Sequence, residues 1–84
     1  MEKIIEDDEF VASFCCGCVN SAKKVLKNGK VVGFEKIGEM MLGDEFDFND
    51  EESLINMAEF CISLCSRKKY NHKFEKPIIR EIHD

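Results

Sequence analysis

Between residues 54 and 65 the chain reads LINMAEFCISLC. Wound as an α-helix at about 100° per residue, this stretch puts Leu54, Met57, Ala58, Cys61, Leu64 and Cys65 on one face. Ile55 and Ile62 widen that face on one side and Phe60 on the other. Asn56, Glu59 and Ser63 are left for water. The apolar sector is roughly 200° wide, about twice what an ordinary surface helix needs. A helix of this kind must be covered on more than one side, by its own chain or by another. Asn49 is the expected N-cap, and Glu52 three residues later completes a capping-box spacing. Asp50, Glu51 and Glu52 fill the first turn, where the helix dipole favours negative charge.

A second helix is expected over 8–28. Phe10, Val11, Phe14, Cys15, Cys18, Val19, Ala22, Val25 and Leu26 recur at spacings of three and four. Asp7 or Asp8 is the expected N-cap. Lys23, Lys24 and Lys27 sit near its C-terminal end, and Gly29 would close it in a left-handed conformation. The stretch 30–42 fits two templates. Phe34, Ile37, Met41 and Leu42 suit a short helix over 33–42, whereas Val32 and Phe34 suit a strand over 31–37. The larger number of helical matches favours the helix. Pro77 makes the C-terminal segment extended.

The expected fold is therefore mostly α: a single small domain over 1–84, with three helices at 8–28, 33–42 and 50–68 and an extended C-terminal tail. The alternative is α+β, with two short strands at 31–37 and 77–82.

Composition changes this picture little. The chain has 84 residues, 44% hydrophobic and 35% charged, with one Pro, which places it with globular chains rather than disordered ones. Met1 to Glu9 is acidic and carries no signal-peptide pattern, and no apolar run approaches a membrane span of about 20 residues. With five cysteines, an odd number, the expectation is reduced thiols in a cytoplasmic protein. Ten lysines against two arginines is a coding bias common in phages and some bacteria, and it suggests a phage or accessory-element factor.

The net charge of −5 argues against a general nucleic-acid binder, which needs surplus Lys and Arg to meet phosphate. A helix-turn-helix also fails, because the helix that would read DNA opens on three acidic residues. Arg67, Lys68, Lys69 and Lys73 read as the cation-favouring end of a helix.

Candidate chemistry is sparse. Cys15 and Cys18 form a C-x-x-C spacing, and Cys61 and Cys65 lie one helical turn apart. Together they would supply four thiolates to a zinc-stabilised module, the first alternative function. Both pairs sit on apolar stripes, however, where free cysteine behaves as a small hydrophobe. Cys16 lies off the stripe and is the most accessible thiol. His72 and His83 have nothing nearby to orient them toward a nucleophile, so the chain is not expected to be an enzyme, and no cofactor or metal is expected.

What remains is surplus apolar surface. The acidic segment 44–52 carries Phe46 and Phe48 in the manner of acidic-hydrophobic interaction motifs. Ile55, Phe60 and Ile62 widen the central helix face, and Ile78, Ile79 and Ile82 lie in the tail. These eight residues are the expected partner-binding positions. The expected function is a small acidic protein that regulates or inhibits a larger protein by binding it, with homodimerisation through the central helix. Acidic mimicry of nucleic acid is the second alternative.

Overall fold

The computed structural model describes residues 2–65, 67 and 69–83. It holds one antiparallel sheet of five strands and, among those residues, one α-helix. The strands are β1 (Glu2–Glu6), β2 (Phe10–Cys15), β3 (Cys18–Lys27), β4 (Lys30–Met41) and β5 (Ile78–Ile82); α1 (Glu51–Cys65) lies between β4 and β5. The order across the sheet is β4-β3-β2-β1-β5. The first four strands form a meander, and the chain returns after α1 to lay β5 against β1.

The three-helix expectation is thus corrected: 8–28 is a β-hairpin and 33–42 lies in a strand. The α+β alternative falls short too. Its two segments lie in or against β4 and β5, but it omits β1, β2 and β3.

The hairpin's turns explain the error. Cys16 and Gly17 stand at φ 55° and 81°, and Asn28 and Gly29 at 53° and 77°. Two consecutive residues in the left-handed region define the type I′ turn, whose twist matches that of the flanking strands. Cys15 therefore pairs with Cys18, and Lys27 with Lys30. Within a strand, side chains four apart share a face, as they do on a helix. Crossing a two-residue turn, from Cys15 to Cys18, adds a spacing of three. Val11, Cys15, Cys18 and Ala22 thus mimic a helical stripe while lining one face of a hairpin. Asp7 caps a turn rather than a helix, its Oδ1 accepting from the backbone N–H groups of Glu9 and Phe10, both at 2.9 Å.

Alternation then sorts the sheet into two faces. Ile5, Phe10, Ala12, Phe14 and Val19 point to one side and join Leu54, Ala58, Cys61 and Ile62 of α1 and Phe74 of the tail in one core. The central helix, expected over 50–68, spans Glu51–Cys65, with its cap moved by one residue from Asn49. Asp50 precedes it, with its Oδ2 accepting from the Ser53 hydroxyl at 2.6 Å. Residues 66 and 68, in the last turn of the expected helix, lie outside the described residues.

The wide apolar face of α1 is covered largely by its own chain. The sheet lies beneath it, Phe46 stacks on Phe14 with ring centroids 5.8 Å apart, and Glu59 Oε1 accepts from the Phe74 backbone N–H at 3.0 Å. Only Phe60 and Leu64 remain 48% and 61% exposed on this helix.

The end of α1 packs directly on β4 at Gly38. A Cβ built there would stand 2.0 Å from Cys65 Cβ and 3.2 Å from its Cα. No side chain fits without separating helix from strand. Gly38→Ala is expected to lower stability by about 1–3 kcal/mol through overpacking, read from the urea midpoint. Adding Cys65→Ala should not restore it, because the obstructing atom is the Cβ that alanine keeps. A Gly38→Ala protein as stable as the parent would place α1 elsewhere.

Candidate interaction surface

β3 and β4 are far longer than the strands beside them. β2 begins at Phe10, opposite Lys23, and the backbone N–H of Lys24 reaches Glu9 O at 2.8 Å. Beyond that tie, β3 and the first part of β4 pair only with each other, as a two-stranded arm closed by Asn28-Gly29. At about 3.3 Å per residue, the twelve residues of β4 span close to 40 Å. That is comparable with the longest extent of the molecule, which measures 40 × 29 × 22 Å.

The arm is apolar where a solvated hairpin would be polar. Val25, Leu26, Val31, Val32 and Phe34 are 43%, 52%, 46%, 61% and 61% exposed. Leu26 pairs with Val31, and Lys24 with Phe34, so Leu26, Val31 and Phe34 continue the sheet face turned away from α1. Val25 alternates with Leu26 and points to the other face, so the arm exposes apolar side chains on both of its faces. β4 carries an extra residue at Val32 and another at Ile37, where its pairing with β3 shifts. Bulges and lysines on an edge strand discourage pairing with another strand, which points to contact through side-chain faces rather than through the edge.

Charge marks the same element. Residues 25–34, beyond that tie, hold Lys27 and Lys30 and no acidic residue, in a chain of net charge −5. The arm is basic and apolar, and the rest of the molecule is more acidic than the whole.

Its base is held by ion pairs on the sheet face turned away from α1. Glu6 receives Lys24 Nζ at 2.8 Å and Arg80 at 3.2 Å, tying β1 to β3 and β5. The Lys24 hydrogen bond, aided by Arg80, holds the Glu6 carboxyl below its ordinary value against the opposing effect of burial. On the helix side, Lys23 Nζ lies 5.4 Å from the centre of the Tyr70 ring, which meets Phe10 edge-on at 5.3 Å. His72 bonds Asp7, approaches Glu9 at 3.6 Å and packs against Phe10 and Phe74. The first fastens the segment after α1 to β3 and β2, and the second fastens it to the β1–β2 loop.

The expected partner-binding residues do not form one surface. Ile62 is fully buried in the core. Phe46, Ile55 and Ile79 are partly buried against it. Ile79 and Ile82 lie on β5 in register with Ile5 and Glu2. Phe48, Phe60 and Ile78 are 36%, 48% and 63% exposed, on three different elements. Sequence reading missed the arm, and Asn28-Gly29 was the signal that would have found it.

The four cysteines of the zinc alternative are not gathered. Cys15 and Cys18 flank the β2–β3 turn, whereas Cys61 and Cys65 lie on α1 with their thiols toward Val19 O and Glu39 O. Among the described residues no group of three or more His, Cys, Asp or Glu side chains is placed to hold a metal. Burial pushes the Cys61 thiol up to about 11, so it stays protonated at neutral pH. No described helix is long and apolar enough to cross a membrane.

A carboxylate held below its ordinary value stabilises the fold above that value, 4.5 for Glu6, and loses this contribution as pH falls through the folded-state pKa. Glu6→Gln is expected to cost up to about 1 kcal/mol at neutral pH, the scale of a partly screened ion pair. The cost should vanish once acid has protonated the parent's Glu6, and paired urea titrations across pH would show the two curves converge. A gap unchanged in acid would mean that the carboxylate's charge contributes nothing. No protein-family model matches the sequence, and neither does a curated protein or a solved structure.

Proposed function

We propose that the protein acts by binding a larger protein and that the β3–β4 arm is the element that docks. One observation carries this reading: five large apolar side chains, 43–61% exposed, concentrated on an extension that the described chain does not cover. A folded domain gains nothing internally from such residues, since each forgoes the roughly 1.5–3 kcal/mol that full burial would return. Their benefit lies in contact with another molecule.

The lysines interleaved with them favour a partner whose contact surface is apolar with an acidic rim. Opposite charge at the rim speeds encounter and rejects wrong partners, while the apolar centre supplies affinity. This differs from acidic mimicry, in which the negative body itself would be the contact surface. It also moves the contact away from α1, whose own chain covers most of its apolar face.

Val32→Ser combined with Phe34→Ser alters only exposed side chains and should leave the urea midpoint within about 0.5 kcal/mol of the parent. In quantitative capture from the native cell, a protein retained by the parent should be retained at least tenfold less by this variant. Its retention by the parent should also weaken moderately with added salt. Equal retention by parent and variant would remove the arm from the contact. If the partner proves to be the chain itself, sedimentation will show a dimer that the double substitution disperses.

A further inference from the structure

At the end of the sheet opposite the arm, the β2–β3 turn holds three of the five cysteines. Cys16 is exposed and sits at φ 55°, which brings its Sγ to 3.2 Å from Cys15 Sγ. Cys18 is otherwise engaged: its thiol donates to Cys15 O at 3.1 Å, and its sulfur accepts from Asn20 Nδ2 at 3.7 Å. The Cys15–Cys16 pair forms part of the wall of an open cleft of about 400 Å³, completed by Lys3, Phe14, Gly17, Phe48 and Asn49. Cys16 is exposed, so a small polar molecule reaches its sulfur directly from solvent.

We propose that Cys15 and Cys16 form a reversible dithiol–disulfide site, oxidised by a small hydroperoxide that reaches the exposed Cys16 sulfur. The Cys16 thiolate attacks the terminal peroxide oxygen. The O–O bond breaks, the other oxygen leaves as water or an alcohol, and Cys16 becomes a sulfenic acid. The Cys15 sulfur then attacks the Cys16 sulfur. The S–O bond breaks, and the hydroxyl leaves as water with the Cys15 proton. Two thiols have lost two hydrogens, and the peroxide has been reduced.

The Cys15 thiol is held above its ordinary value chiefly by its hydrogen bond to Cys16, as expected of two sulfurs sharing a proton. Proximity therefore favours Cys15 as the resolving thiol. Reversibility follows from chain geometry. Neighbouring Cα atoms are about 3.8 Å apart, below the usual 4.4–6.8 Å span of a disulfide, so the ring is strained and readily reduced. Closing it also draws Cys16 away from its turn conformation. Gly17 O accepts from the Leu42 backbone N–H at 2.7 Å, so a displaced turn releases the start of the segment that carries Phe46 and Phe48.

The test is one equivalent of hydrogen peroxide added to the reduced full chain, followed by intact mass, thiol titration and peptide mapping. The expected product is monomeric and about 2 Da lighter, with a Cys15–Cys16 link that dithiothreitol reverses. Accessible thiols should fall from the five free cysteines by two in denaturant. Cys16→Ser should abolish the mass change, and Cys18→Ser should leave it intact. A Cys15–Cys18 link, a covalent dimer, a persistent sulfinic acid on Cys16 or no reaction would each overturn the proposal.

Discussion

Two pairs of residues held at positive φ, Cys16-Gly17 and Asn28-Gly29, set the register on which the molecule depends. A two-residue turn allows no slack: it decides which residue faces which, and so which side chains share a face. With Cys15 opposite Cys18, the residues Phe10, Phe14 and Val19 fall on the side that meets α1. Shifting that pairing by one residue would turn Val19 away from the helix and bring charged or polar neighbours into the core. The second turn sets how far β3 and β4 run together. Because β2 begins at Phe10, everything beyond Lys23 and Lys24 leaves the sheet as the arm.

The core that results is small but closed. α1 brings Leu54, Ala58, Cys61 and Ile62 onto the sheet, Phe46 covers one flank and Phe74 the other. Gly38 lets the end of α1 come down onto β4. The breadth of apolar surface on α1 is explained by this threefold cover. The exposed apolar surplus lies instead on the arm, some distance along β4 from the helix contact. Opposite ends of the sheet thus carry different properties: a basic, apolar projection at one, and a thiol-bearing turn beside a cleft at the other.

The helix was legible because LINMAEFCISLC has spacings that only a period of 3.6 satisfies, with acidic residues leading into it. The strands were not, for a specific reason. A spacing of four is common to both periods, and the turn between Cys15 and Cys18 supplied the spacing of three that made a hairpin read as a helix. Cys16-Gly17 lacks the usual Asn-Gly composition, so it gave little warning; Asn28-Gly29 had that composition but also fits a helix end. The arm was hidden by the same confusion. Val25 and Leu26 were absorbed into a false stripe, and Val31, Val32 and Phe34 into an ambiguous stretch. Exposure depends on the unequal lengths of β2 and β3, which no local pattern encodes. Cys16 is the exception: its departure from the apolar stripe marked it as accessible, and it is exposed at the turn.

Amide hydrogen exchange, followed peptide by peptide in the free protein and in its complex with the captured partner, bears most directly on the arm as the contact surface. In the free protein, amides of residues 25–33 should exchange faster than those of β1 and β2, because no third strand or helix shields them. In the complex, protection should rise there and change little in α1. Protection confined to α1 or to β5, with the arm exchanging as before, would contradict the account.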